Sequence, residues 1–317
     1  MTRARRPALA VVHTRASPCR CHQFFLTAAP RLGLRAFPVA VEEFFAARDE
    51  IKGAVLVAEH IDLYRGSGAL RPLARHAVES WGGKLLGTGA AAAQVCDDKI
   101  EARLRLEAAG VRMPRARLLR TGEERVSLPA VLKRPFEHGS RGVTLVRTIK
   151  ELRRGARSYL AEGDGMLLAE EFVEGRELAV SVIERNGRPI ALPPIEVAIP
   201  DGAIYGGDRK WDEGTEPARA PALLAPPVQR RIAGAALRAF RALGLRDYAR
   251  FDLRLAEDGL PRFLEANARP SVEPGSELRR AADLAGLDAR RLLATLLASA
   301  ARRHRLASLV EHLRSIA

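Results

Sequence analysis

The apolar positions in the first third of the chain fall into short runs separated by stretches of helical spacing. Ala8–Val12, Leu34–Val41, Ala54–Ala58 and Lys84–Leu86 are predicted strands. Between them Gln23–Leu32, Val41–Arg48 and Ala69–Trp81 carry apolar residues three and four apart, the spacing of a helix with one buried face. Strand–helix alternation of this kind predicts a parallel, doubly wound sheet. Gly87-Thr88-Gly89 then opens an Ala-rich stretch. The G-x-G-x-x-A pattern there follows a late strand, so we read it as a domain-junction turn rather than a dinucleotide fingerprint.

Beyond the junction the pattern changes. A helix is predicted over Cys96–Ala109, with Gly110 as its cap, and strands over Arg115–Arg120, Ala130–Lys133 and Val143–Arg147. A charged helix follows at 148–161. Longer strands are expected at 166–173, 177–185, 189–199, 247–255 and 261–266, with helices at 222–243, 276–285 and 288–314. The segment 200–221 is rich in Gly, Pro and acids, the composition of a functional lid. Three domains are expected: 1–87, 88–165 and 166–317.

Composition narrows the class. With 317 residues, 47% hydrophobic and 28% charged, the chain can bury a sizeable core and is neither disordered nor fibrous. No apolar stretch reaches the roughly 20 residues of a spanning helix. The N-terminus lacks a signal-peptide core, so a cytoplasmic protein with no membrane partner is expected. The net charge of +14 invites a nucleic-acid reading. Only six of the 52 basic residues are Lys, however, and Asn occurs twice. Abundant Arg with scarce Lys and Asn is what GC-biased coding yields, so no specific nucleic-acid partner is expected. By the same reasoning a Lys or Asn that persists carries more weight. Cys19 and Cys21 form C-x-C beside His22, and Cys96 stands alone; without a second ligand pair in the sequence these read as reduced thiols.

The chemistry concentrates near the C-terminus. Asp252 in YARFDLRL and Glu265 with Asn267 in PRFLEAN lie on two strands joined by an acidic Gly turn. The i, i+2 spacing puts residues 265 and 267 on one face. Two carboxylates and an amide oxygen are hard ligands suited to Mg²⁺; a pair of solvated hairpin acids is the alternative. Lys99 follows two acids, Lys133 ends a strand, and Lys210 lies in the predicted lid. Gly139-Ser140-Arg141-Gly142 offers backbone N–H groups to phosphates, although it is not a Walker loop. Glu170-Glu171-Phe172-Val173-Glu174-Gly175-Arg176-Glu177 joins two strands through a short linker of the kind that reads an adenine edge.

In this order LPAVLKRPFEHGSRGVTLV, LLAEEFVEGRELAVSVI and YARFDLRLAEDGLPRFLEANARPS resemble the ATP-grasp superfamily, and within it the D-alanine–D-alanine ligase family, over about residues 87–293. The resemblance implies an N-terminal Rossmann-like domain and two α+β lobes clasping ATP. It implies that Lys99 and Lys133 contact phosphates, that Gly139 and Ser140 cover them, and that Lys210 reaches the γ-phosphate. Glu170, Phe172 and Val173 would form the adenine hinge and Glu177 would hold the ribose. Asp252, Glu265 and Asn267 would bind two Mg²⁺ (or Mn²⁺) ions, and Arg250 would stabilise developing negative charge. Ser271 and Ser276 fall where the family receives its second substrate. The implied reaction joins a carboxylate to an amine through an acylphosphate, with small-molecule substrates; a homodimer stays open.

The chain departs from the family where substrate is recognised. No acid follows the first strand before Glu42, Glu59-His60-Ile61-Asp62 stands in place of a His-Gly loop, and Pro270-Ser271 replaces Pro-Gly. Altered substrate recognition is therefore expected. The alternatives are a ligase for another amino acid or a secondary-metabolite carboxylate, and a non-catalytic nucleotide- or nucleic-acid-binding protein.

Overall fold

A computed structural model describes residues 6–15, 19–61, 70–136, 142–162, 165–200, 202–204, 217–314 and 316. The first sheet is parallel, in the order β2-β1-β3-β4, from β1 (Ala8–His13), β2 (Arg35–Ala40), β3 (Leu56–His60) and β4 (Leu85–Leu86). Alternation along β1 sends Leu9 and Val11 to one face and Ala10 and Val12 to the other. The first pair packs on α1 (Cys21–Ala28), and the second on α2 (Arg48–Gly53) and α3 (Leu70–Ser80). Both faces are covered, as a doubly wound sheet requires.

The central sheet is antiparallel in the order β5-β8-β6-β7, from β5 (Ala116–Leu119), β6 (Ala130–Lys133), β7 (Val143–Val146) and β8 (Leu167–Glu171). Its core packs under α6 (Ile149–Glu162). The strand β8 lies beyond residue 165 yet pairs with β5 and β6, so this sheet extends past the division expected at 165/166.

The third sheet runs β12-β11-β9-β13-β14, with β10 also on β9. Its strands are β9 (Arg176–Arg185), β10 (Arg188–Ala191), β11 (Ile195–Val197), β12 (Arg219–Pro221), β13 (Tyr248–Leu255) and β14 (Pro261–Asn267). It packs on α4 (Ala90–Asp97), α5 (Lys99–Ala108) and α7 (Pro226–Ala242). The closing helices are α8 (Glu277–Leu284), α9 (Ala289–Arg303) and α10 (Ala307–Arg314). Leu292, Leu293, Leu296 and Leu297 of α9 are buried in the core that also holds Leu9 and Phe25, so α9 is a packing helix. Among the described residues no helix is long and apolar enough to cross a membrane.

Several elements differ from the expected ones for local reasons. The helix expected over Cys96–Ala109 is two, broken at Asp98, whose extended backbone ends α4 and whose carboxylate accepts from Ile100 N (2.9 Å) and Glu101 N (3.1 Å) to cap α5. The strand expected at 189–199 is split by Pro193-Pro194, which have no N–H to give a ladder. The helix expected at 288–314 breaks at Arg305, where φ is +57°. The helix expected at 41–48 is a 3₁₀ turn, Val41–Glu43, followed by turns up to the start of α2 at Arg48, because a spacing of three also fits that tighter helix.

Candidate active site

β13 and β14 pair with Arg250 opposite Asn267 and Asp252 opposite Glu265, after which a bulge shifts the register. Residues 250 and 252 therefore share a face with 265 and 267. The Arg250 guanidinium grips Asp252 with two hydrogen bonds, Nε to Oδ1 at 2.7 Å and Nη2 to Oδ2 at 2.8 Å. Its third nitrogen, Nη1, donates to Glu277 at 2.9 Å. Burial raises the Asp252 carboxyl above its ordinary value; Arg250 opposes this, and the Glu265 and Glu277 charges add to it. Asn267 Oδ1 accepts from Arg269 N at 2.9 Å, which fixes the amide. Crowded carboxylates whose charges oppose one another are a fitting donor set for a hard divalent cation.

Two lysines belong to the neighbouring elements α5 and β6. Lys99 is the first residue of α5, and its backbone N–H donates to Pro135 O at 3.1 Å. Burial lowers the pKa of its ammonium, as does the Lys133 charge, while Glu265, Glu170 and Asp97 oppose the shift. Lys99 thus feels the charge of Glu265 on the hairpin and of Lys133 and Glu170 on the central sheet. Lys133 is buried at the end of β6 and pairs with Glu170 at 2.5 Å. The other oxygen of Glu170 accepts from Arg103 Nη2 at 2.7 Å. Burial alone would raise the Glu170 pKa, but Lys133 and Arg103 outweigh it and hold the carboxylate below its usual range. The Glu170 side chain is therefore the counter-ion that holds Lys133, and its backbone lies between β5 and β6.

The linker after β8 is buried at Phe172 and Val173. Phe172 N donates to Pro129 O at 3.0 Å. The guanidinium of Arg254, from β13, sits 5.1 Å from the Phe172 ring centroid. It donates to Val173 O at 3.3 Å and to Glu177 at 2.9 and 3.2 Å. Burial raises the Glu177 carboxyl, with Arg254 opposing. Arg254 also donates to Ala203 O at 2.6 Å, and Arg147 Nη2 donates to Gly202 O at 2.5 Å, tying down the described start of the expected lid. β11 and β12 pair as the stem of that segment, so residues 219–221 are strand rather than loop. Gly139, Ser140 and Lys210 lie outside the described residues.

Ser271 and Ser276 lie on the turn after β14. The Ser276 hydroxyl caps α8 through Arg279 N and donates to the backbone oxygens of Ser271 (2.9 Å) and Glu273 (2.8 Å). Glu277 begins α8 and bridges Arg250 to Arg219 (2.6 Å). Burial disfavours its charge, but Arg250 and Arg219 prevail and hold its pKa at about 2.

Ser271 Oγ touches Cys21 Sγ at 3.3 Å, which brings the N-terminal sheet to this turn. Glu59 is buried at the end of β3 and takes Arg75 at 2.7 Å, with Arg269 at 3.9 Å. Against its burial those two guanidiniums hold its pKa at about 2. Sequence reasoning missed Arg103, Arg219, Arg254, Arg269, Glu273 and Glu277. Each is an ordinary charged residue in the sequence, and only its burial opposite a partner marks it.

The family model for the D-ala D-ala ligase C-terminus matches residues 102–298. A D-alanine–D-alanine ligase of Bordetella petrii is 33% identical over 231 residues, covering 71% of this chain and 70% of the relative. Among solved structures, a D-alanine–D-alanine ligase from Bacillus anthracis superposes with a TM-score of 0.77 at 20% identity, over 96% of this chain and all of that one. A structure of the same ligase complexed with ATP gives 0.75 at 21%, again over 96% and 100%.

Proposed function

Because the chain belongs to the D-alanine–D-alanine ligase family, we propose that it is an ATP-dependent ligase joining a carboxylate to an amine, with ADP and phosphate as by-products. The observation that carries this is the pairing of Asp252 with Glu265 across β13 and β14, with Lys99 in the fields of both Glu265 and Lys133. Asp252, Glu265 and Asn267 would hold magnesium, which neutralises phosphate charge. Lys99 and Lys133 would bind the phosphates, and the Glu170 ion pair keeps Lys133 aimed. Phe172 and Val173 would line the adenine edge. Glu177 would meet the ribose once it shares Arg254. Arg250, held on both sides by acids, supplies a fixed positive charge where the transferring phosphoryl group gathers negative charge.

The carboxylate substrate attacks the γ-phosphorus, the bond to the ADP oxygen breaks, and an acylphosphate results. The amine then adds to the acyl carbon, phosphate leaves, and the amine's proton is lost. The lid segment, 200–218, would exclude water from the acylphosphate, with Lys210 and the loop at Gly139 and Ser140 over the phosphates. Three lobes, 1–87, 88–165 and 166–317, with β8 of the last returned to the central sheet, would supply these parts. Ser271 and Ser276 would lie at the amine substrate. The segment after β1 has no acid, and Glu59 is committed to Arg75 and Arg269. We therefore read the first substrate as other than D-alanine, whose buried ammonium would need a carboxylate there.

The test is an ADP-release screen over D- and L-amino acids, singly and in pairs, with MgATP. Asp252→Asn and Glu265→Gln should abolish most turnover while the fold persists. Near-wild-type ADP release by Glu265→Gln would remove the metal assignment. Efficient turnover of D-alanine alone would remove the altered-substrate reading.

A further inference from the structure

Glu273 lies 252 residues beyond Cys21 in sequence, yet the ligand atoms of Cys19, Cys21 and Glu273 all fall within 4.8 Å of one another. The sequence offers the two thiols no second ligand pair; the fold supplies a carboxylate from the turn before α8. The arrangement is built rather than incidental. The Arg20 backbone N–H donates to the Glu273 carboxylate, and Ser271 Oγ meets Cys21 Sγ at 3.3 Å, so both segments are clamped around the cluster. Cys21 Sγ and Glu273 Oε1 are 3.7 Å apart. A tetrahedral zinc ion with bonds of about 2.0–2.3 Å sets its ligand atoms roughly 3.3–3.8 Å apart.

The surroundings suit a borderline-soft cation. The donor set is two thiol sulfurs and one carboxylate oxygen. Magnesium and calcium take oxygen ligands, whereas zinc accepts sulfur, nitrogen and oxygen together. We propose that Cys19, Cys21 and Glu273 form a zinc site with three protein ligands and a fourth position for water or a substrate group. The site is separate from the Asp252–Glu265 hairpin and does not depend on the ligase reading, although Ser271 places it beside the turn where we expect the amine substrate.

The full chain, kept reduced, stripped with a chelator and titrated with Co²⁺, should bind one ion per chain with a thiolate-to-cobalt charge-transfer band and intense tetrahedral d–d bands. Zn²⁺ should displace the cobalt, and excess Mg²⁺ should not. Cys19→Ser and Glu273→Gln should each weaken binding by at least about tenfold, the scale set by metal-site partners outside the ligand shell. Cys96→Ser should leave it unchanged. On wild-type protein, Zn²⁺ should protect Cys19 from alkylation, a readout that does not require any variant to fold. Absence of the charge-transfer band at one equivalent of Co²⁺, displacement by Mg²⁺, or alkylation of Cys19 indifferent to Zn²⁺ would each overturn the site.

Discussion

Glu277 shows how one side chain sets the charge state of the site. It stands in the first turn of α8, at the positive end of the helix, and pairs with Arg219 and Arg250, whose other side holds Asp252. Its pKa falls from 4.5 to about 2 in the folded chain. A depressed carboxyl contributes stability that is complete above about pH 4.5 and is lost as the pH falls through about 2. Glu277→Gln should therefore destabilise by about 3–5 kcal/mol near neutrality, as when one partner of a buried pair is removed. Urea titrations at several pH values should show the difference from wild type constant above about pH 4.5 and shrinking below it. A difference that grew on acidification would contradict the assignment. At Lys133 the consequence should be functional: Lys133→Ala should lower ATP affinity at least about tenfold, while Glu170 keeps Arg103 as its partner.

At the scale of elements, the turn from β8 into β9 depends on Gly175. Its φ is +131°, and a Cβ there would stand 2.2 Å from Leu255 O on β13. Gly175→Ala should cost on the order of 2–4 kcal/mol, from backbone strain and a contact that backbone cannot relieve. Thermal unfolding with and without MgATP would separate loss of stability from loss of the hinge. The segment above the β11–β12 stem carries the lid proposal. Lys210→Ala should leave ATP affinity within a few-fold and lower kcat by on the order of 10²-fold. Unchanged turnover in that variant would end the lid reading.

Across the whole molecule, one carboxylate joins parts that the sequence keeps far apart. Asp247 is fully buried and accepts from Gly87 N (2.7 Å), Ser299 Oγ (2.8 Å) and Arg303 Nη2 (2.7 Å). It thereby pins the exit of the parallel sheet to the start of β13 and to α9. Asp247→Ala should strand Arg303 and cost about 3–5 kcal/mol. Limited proteolysis should then cut near residues 87–89 sooner than in wild type; equal protection would show that packing alone holds the junction. The +14 charge also looks different at this scale. Arg75, Arg103, Arg219, Arg250, Arg254, Arg269 and Arg303 all pair with Asp or Glu inside the fold, so part of the Arg content is structural rather than solvated noise. Any DNA binding should be weak and fall steeply with salt.

Local pattern determined much of this protein before any tertiary contact. Short apolar runs marked β1, β3 and β6 because these strands are buried on both faces. The YARFDLRL and PRFLEAN strands carried the pairing of Asp252 with Glu265, since alternation alone selects which residues share a face. Breaks that depend on a single residue were harder to read: Asp98 ends one helix and starts another only because its carboxylate finds two backbone donors, and Arg305 adopts a positive φ where a packed helix must turn. Partnerships lay beyond the sequence altogether. That Glu170 holds Lys133, that Glu277 holds Arg250, and that Glu273 meets Cys19 and Cys21 follow from burial, which makes an unpaired charge costly and so selects a partner from any distance along the chain.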